Sequence, residues 1–260
     1  MNFLKQIEED MRINKGVFFT LSLLAVFIFG ISIKAQEIEV NAGSDFVSRY
    51  IWRGLNVNES INVQPSLSLS VSGFELGIWG SYAFTGSNST DDYYSFSHEI
   101  DFLIGYSHTI DDVVTVSALL TDYYFPNAGI RMGNFNNYND KDGPGAHTLE
   151  AGLSVAGPGS CPVTLSGYIN FYNDAGNNTY FQLDYSTELN NVNINFFLGA
   201  SAGSKKNPVY YGTDKLNVIN TGIQATKDIR ITDEFSLPIS VTYILNPRIE
   251  ISYLVVGISI

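Results

Sequence analysis

Asp45, Arg49 and Arg53 stand four residues apart. In an extended strand alternate side chains leave opposite faces, so residues four apart share a face and lie about 13 Å from one another. The companion face reads Ala42, Ser44, Phe46, Ser48, Tyr50, Trp52, weakly apolar and aromatic at its end. Further acids fall on the polar faces of later alternating runs: Glu75, Glu99, Asp101, Glu150 and Asp184. Two kinds of chemistry suit such a set. Charged side chains along a narrow aqueous path select ions by sign. Alternatively, Arg49 or Arg53 pairs with Glu75, Asp101, Glu150 or Asp184 and braces a wall, because small barrels are largely filled by side chains. If the path is aqueous, acids outnumber arginines on the inward set. Charges there are less screened than at a surface, which predicts a weak cation preference.

Other chemistry finds less support. Nucleophilic catalysis needs a hydroxyl or thiol, a histidine and an orienting acid within hydrogen-bond reach. The histidines are His98, His108 and His147, and no nucleophile motif accompanies them, so no enzymatic role is expected. Asn139-Asp140-Lys141-Asp142-Gly143 echoes a calcium loop but lacks its leading Asp and its Glu after the Gly. No metal and no cofactor is expected. Cys161 is the single cysteine, so the chain has no internal disulfide. Asn-rich segments at 135–138 and 177–178 read as polar surface or as sugar contacts.

These side chains need elements to position them. Beyond residue 36 no helical period persists, and alternating runs recur instead. Strands are predicted near 37–53, 62–72, 74–84, 98–108, 113–124, 147–156, 163–172, 179–188, 193–201, 218–227, 235–245 and 248–260. An even number near twelve suits an all-β, transmembrane, antiparallel up-and-down barrel. The connections alternate in length. Those at 72–73, 110–112, 157–162, 189–192 and 229–233 are short; those near 54–61, 85–97, 125–146, 173–178 and 202–217 are long. Long loops outside and short turns in the periplasm are the rule for outer-membrane barrels, and a soluble meander has no reason to sort its loops so. Asn246-Pro247 breaks the pattern, tight where a long loop is due. Most strands offer one apolar face, such as Phe181, Leu183 and Tyr185 against Gln182, Asp184 and Ser186. The runs at 113–124 and 248–260 are apolar on both faces. Aromatics gather where strands meet long loops (Tyr50, Trp52, Tyr82, Phe84, Tyr123, Tyr124, Phe125, Phe171, Tyr172, Tyr180), as in an outer girdle.

Composition agrees. Only 15% of residues are charged and 13% are aromatic, against about 25% charged in soluble domains. A net charge of −12 excludes nucleic acid as a partner, because phosphates would be repelled. Residues 1–35 read as a signal peptide. Arg12 and Lys15 precede the apolar run 16–33, and cleavage is expected after Ala35. The acids Glu8, Glu9 and Asp10 do not suit such a segment, and a start of translation at Met11 is the expectation they raise. Residues 36–260 would then form the outer-membrane barrel.

Ser44-Asp45-Phe46-Val47-Ser48-Arg49-Tyr50-Ile51-Trp52-Arg53-Gly54-Leu55, with Gln64-Pro65-Ser66-Leu67 and Gly77-Ile78-Trp79-Gly80-Ser81 after it, resembles the TorF-type porins. These are bacterial outer-membrane barrels marked by an Arg-Gly opening and a downstream Gln-Pro. The likeness covers the first three strands in motif and the rest in length and pattern. It implies an outer-membrane location and a pore-like role, without naming a solute. Outer-membrane lipid and lipopolysaccharide, small solutes and the barrel-assembly machinery are the partners it implies. One departure is the C-terminus, where Ile260 stands in place of the aromatic that the assembly machinery reads.

Overall fold

The computed structural model describes residues 38–84 and 98–260. The expected signal segment and the loop at 85–97 lie outside them. Twelve strands close into one antiparallel barrel. In chain order the wall is β1 (Glu39–Val47), β4 (Asn62–Val71), β5 (Phe74–Ala83), β6 (His98–Ile110), β7 (Val114–Tyr124), β8 (His147–Ala156), β9 (Val163–Tyr172), β10 (Thr179–Leu189), β11 (Val192–Ser201), β12 (Asn217–Arg230), β13 (Ser236–Asn246) and β14 (Ile251–Ser259). Each wall strand pairs with its neighbours in sequence, and β1 closes the ring against β14. Closure satisfies the backbone groups that an open sheet leaves unpaired at its edges. Two short strands, β2 (Tyr50–Trp52) and β3 (Leu55–Asn58), form a separate hairpin.

Strand alternation sorts the side chains. Leu67, Leu69, Ile78, Ile104, Leu153, Leu165, Leu183, Leu198, Val241 and Leu254 are exposed on the outer face, Leu153 at 65%. The inner face carries Ser66, Ser68, Ser117, Thr121, Ser154, Ser166, Asn195, Gln224 and Thr242 at the paired positions. The two strands left open by sequence are thereby resolved. Val116 and Leu120 of β7 point outward and Leu119 lines the interior. In β14, Leu254, Val256 and Ile258 are outside, while Tyr253 is buried inside. Among the described residues no helix is long and apolar enough to cross a membrane, which says nothing of strands.

Among the described residues, short and long connections fall at opposite ends, apart from the tight turn between β13 and β14 at the long-loop end. At the short end Ser72-Gly73 and Asn190-Asn191 make two-residue turns with left-handed φ at both positions, as tight hairpins require. At the other end the loop 125–146 is tied to the rim through His147. The Nδ1 of this buried ring meets Asp122 at 2.9 Å and its Nε2 donates to the Met132 carbonyl at 2.6 Å. The ring stacks on Phe135 with centroids 4.1 Å apart, and the Tyr172 hydroxyl donates to the Phe135 carbonyl. The His147–Asp122 pair is therefore a loop anchor whose second nitrogen is spent on backbone, not the base of a nucleophile. Asp174, in the loop 173–178, anchors a second segment. Burial would raise its carboxyl, but N–H donors from the Asn178 and Gly176 backbone and the Asn178 and Asn207 side chains outweigh that and hold it below the usual carboxylate range.

Candidate luminal site

The first predicted strand, 37–53, is wrong at its C-terminal end. The chain leaves the wall after Val47. Ser48 makes the last bonds to β14, its amide donating to the Val256 carbonyl at 2.9 Å and its Oγ accepting from the Val256 amide at 3.0 Å. The β2–β3 hairpin then folds into the barrel. Trp52 pairs with Leu55, leaving Arg53 and Gly54 as the turn, with φ of 51° and 78°. Gly54 is required twice over: its φ is left-handed, and a Cβ there would stand 2.1 Å from the Ile219 carbonyl oxygen of β12.

The predicted stripe of Asp45, Arg49 and Arg53 on one strand face therefore does not form. Asp45 stays on the inner face of β1, opposite Gln64 and Ser259. Arg49 lies past the strand end, its guanidinium 5.8 Å from the Tyr253 ring. Arg53 is carried to the middle of the bore. Alternation cannot distinguish a strand that continues along a wall from one that turns inward with the same period.

Arg53 is held on several sides. Its Nη1 and Nη2 donate to the two oxygens of Glu150 at 2.6 and 2.7 Å. The Nη1 also donates to the Tyr211 hydroxyl at 2.7 Å, and the Tyr123 hydroxyl donates to Glu150 at 2.9 Å. The guanidinium stands 4.4–4.6 Å from the rings of Trp52, Tyr168 and Tyr180, well inside the range at which an aromatic face attracts a cation. Tyr211 comes from the loop 202–216, which also folds inward. The hairpin grips the wall all round: Tyr50 lies 5.7 Å from Trp79 of β5, Trp52 lies 6.0 Å from Tyr123 of β7, and Asn246 of β13 donates to the Gly54 carbonyl at 3.1 Å. It spans the bore.

Of the other acids named from sequence, Glu75 is exposed near the short-turn end within hydrogen-bond reach of Ser70. Asp184 accepts from Gln182 at 3.0 Å and Asn195 at 3.1 Å. Asp101 is buried, and its Oδ1 meets no donor among the described residues. Sequence reasoning placed Tyr50, Trp52, Tyr123 and Tyr180 in an outer girdle; the structure turns them inward, with Tyr168 and Tyr211, while Phe84 and Phe171 stay exposed at the rim. Alternation held the signal. Tyr123 shares the parity of Thr121, and Tyr180 that of Gln182, each the polar side of its strand. Together the rings and acids bound a cavity of about 630 Å³ between the hairpin and the inner faces of β4 to β10.

No curated protein sequence matches the chain. Among solved structures it is similar to the KdgM porin, with a TM-score of 0.51 at 10% identity over 85% of this chain and 98% of that one. This likeness is one of fold. A family model described as "Bacterial protein of unknown function (Gcw_chp)" matches residues 34–241. With most of its length so matched, the chain belongs to the Gcw_chp family of bacterial proteins.

Proposed function

We propose that the protein is an outer-membrane barrel acting as a small passive channel for hydrophilic solutes or ions, with the hairpin 50–58 as its constriction. The observation that carries this reading is a closed wall whose outer face is apolar strand after strand and whose inner face is polar. Hydrocarbon is the solvent such an outer face fits, and closure pairs the wall strands with one another round the ring, least completely at the short seam between β1 and β14. Wall strands of 9 to 14 residues can cross it when tilted. The fold likeness to a porin and the resemblance to TorF-type porins support the same reading. In this orientation the long loops face outside toward lipopolysaccharide and the short turns face the periplasm, after removal of the signal segment and insertion by the assembly machinery. The inward acids then favour cations.

The hairpin across the bore favours a second reading, a non-conducting barrel that serves at the surface. Planar-bilayer recording separates the two. The expected result is a small, cation-preferring conductance that rises several-fold when residues 50–58 are replaced by a Gly-Ser linker. Silence of both proteins, with the barrel verified as folded, would overturn the channel and leave the second reading standing.

A further inference from the structure

Asp101 occupies a place unlike that of the other inward acids. In the register of the wall it lies between two aromatic residues, opposite Trp79 on β5 and opposite Tyr123 on β7. The hairpin supplies two more rings, Tyr50 beside Trp79 and Trp52 beside Tyr123. A carboxylate thus stands in an aromatic box that opens on the cavity of about 630 Å³, a volume within the range of small-molecule sites. Asp101 is 7% exposed, its Oδ1 lacks a hydrogen-bond donor, and no cation pairs with it among the described residues. The neighbouring acids are committed elsewhere: Glu99 to the Tyr50 hydroxyl and Glu150 to Arg53. An unpaired buried carboxylate is costly unless a partner meets it. The same wall shows which partner it accepts, because a few residues away an acid ringed by tyrosines and Trp52 holds the guanidinium of Arg53.

We propose that the box around Asp101 binds small organic cations bearing a guanidinium or ammonium head, with Asp101 as counter-ion and Trp79, Tyr123, Tyr50 and Trp52 as the ring walls. The hairpin presents Arg53 to the acid Glu150 as a built-in occupant, and the box around Asp101 takes the solute's cationic head in the same manner. The rings add attraction that a hydrated sodium ion cannot exploit, so the site discriminates by desolvation as well as by charge. This site names a solute class for the channel proposed above and rests on that reading for the solute's route to it.

The test uses the two tryptophans of the sequence, Trp52 and Trp79, both of which line the cavity. The refolded full-length barrel in detergent is titrated with agmatine and tetramethylammonium, and separately with glucose and sodium glutamate, at constant ionic strength. The expected result is a saturable change in tryptophan emission with the two cations only. Asp101→Asn should weaken it at least tenfold, and Asp233→Asn, exposed on a short connection and paired with Arg230, should leave it unchanged. Trp79→Leu, followed by calorimetry instead of emission, gives a second variant should Asp101→Asn not fold. Saturation by glucose, no saturable response to either cation, or unaltered binding by the box variants would overturn the site. Binding without conductance in bilayers would overturn the channel alone; conductance with no cation binding would overturn the site alone.

Discussion

Arg53 adopts a left-handed φ that disfavours a residue with a side chain by about 1 kcal/mol, so its surroundings must hold it there. The paired oxygens of Glu150, the Tyr211 hydroxyl and three rings do so. The side chains of Arg53 and Glu150 are only 11% and 3% exposed, so losing one partner strands the other. Arg53→Ala should cost about 3–5 kcal/mol, as broken buried pairs do, read as a lower midpoint in heat-modified gel shift. Adding Glu150→Gln should recover part of the loss. Arg53→Lys should lie between, keeping charge without the fork. An unchanged midpoint in Arg53→Ala would mean that the hairpin is held by its rings alone. The sequence made the bracing role of Arg53 legible, with Glu150 among the named acids. It could not choose Glu150 over Asp101, because that choice depends on how far a turn reaches into the bore.

The wall strands were readable almost to their ends, because each alternates and is stopped by turn residues. The hairpin was not, because Arg53-Gly54 is not one of the dipeptides that mark a tight hairpin turn. The preceding run simply continued in phase. The segment near 202–217 was read as an outside connection, yet Tyr211 is 2% exposed inside the bore; nothing local marks a loop that folds inward. The sorting of connections by length yields a prediction for the elements themselves. Cys161 is exposed on the short connection between β8 and β9. An impermeant maleimide should leave Cys161 unlabelled on intact cells and label it after the outer membrane is opened, whereas a tag at Asn136 should be reachable throughout. Labelling of intact cells would invert the barrel.

At the scale of the whole molecule, closure was legible from the even number of alternating runs, and the contents of the bore were not. The contacts that set them join residues 97, 158 and 192 apart, beyond any local pattern. The ring is also unevenly fastened. Where β10 meets β11 the ladder runs from Tyr180–Ser201 to Leu189–Val192; where β1 meets β14 it runs only from Asp45–Ser259 to Val47–Gly257. Opening free energy varies across a fold and is lowest where few bonds hold. Amide exchange should therefore be fastest, among the wall strands, at the outer half of β14, beyond the point where β1 leaves the wall; uniform protection round the ring would contradict this. The short seam has a consequence of its own. Ser48 fastens the seam and is the residue from which the hairpin departs, while the hairpin's tip is bonded to Asn246 on the strand before β14. The inserted segment is thus a strap buckled across the zip of the barrel: whatever draws it out of the bore also loosens the line along which the wall closes.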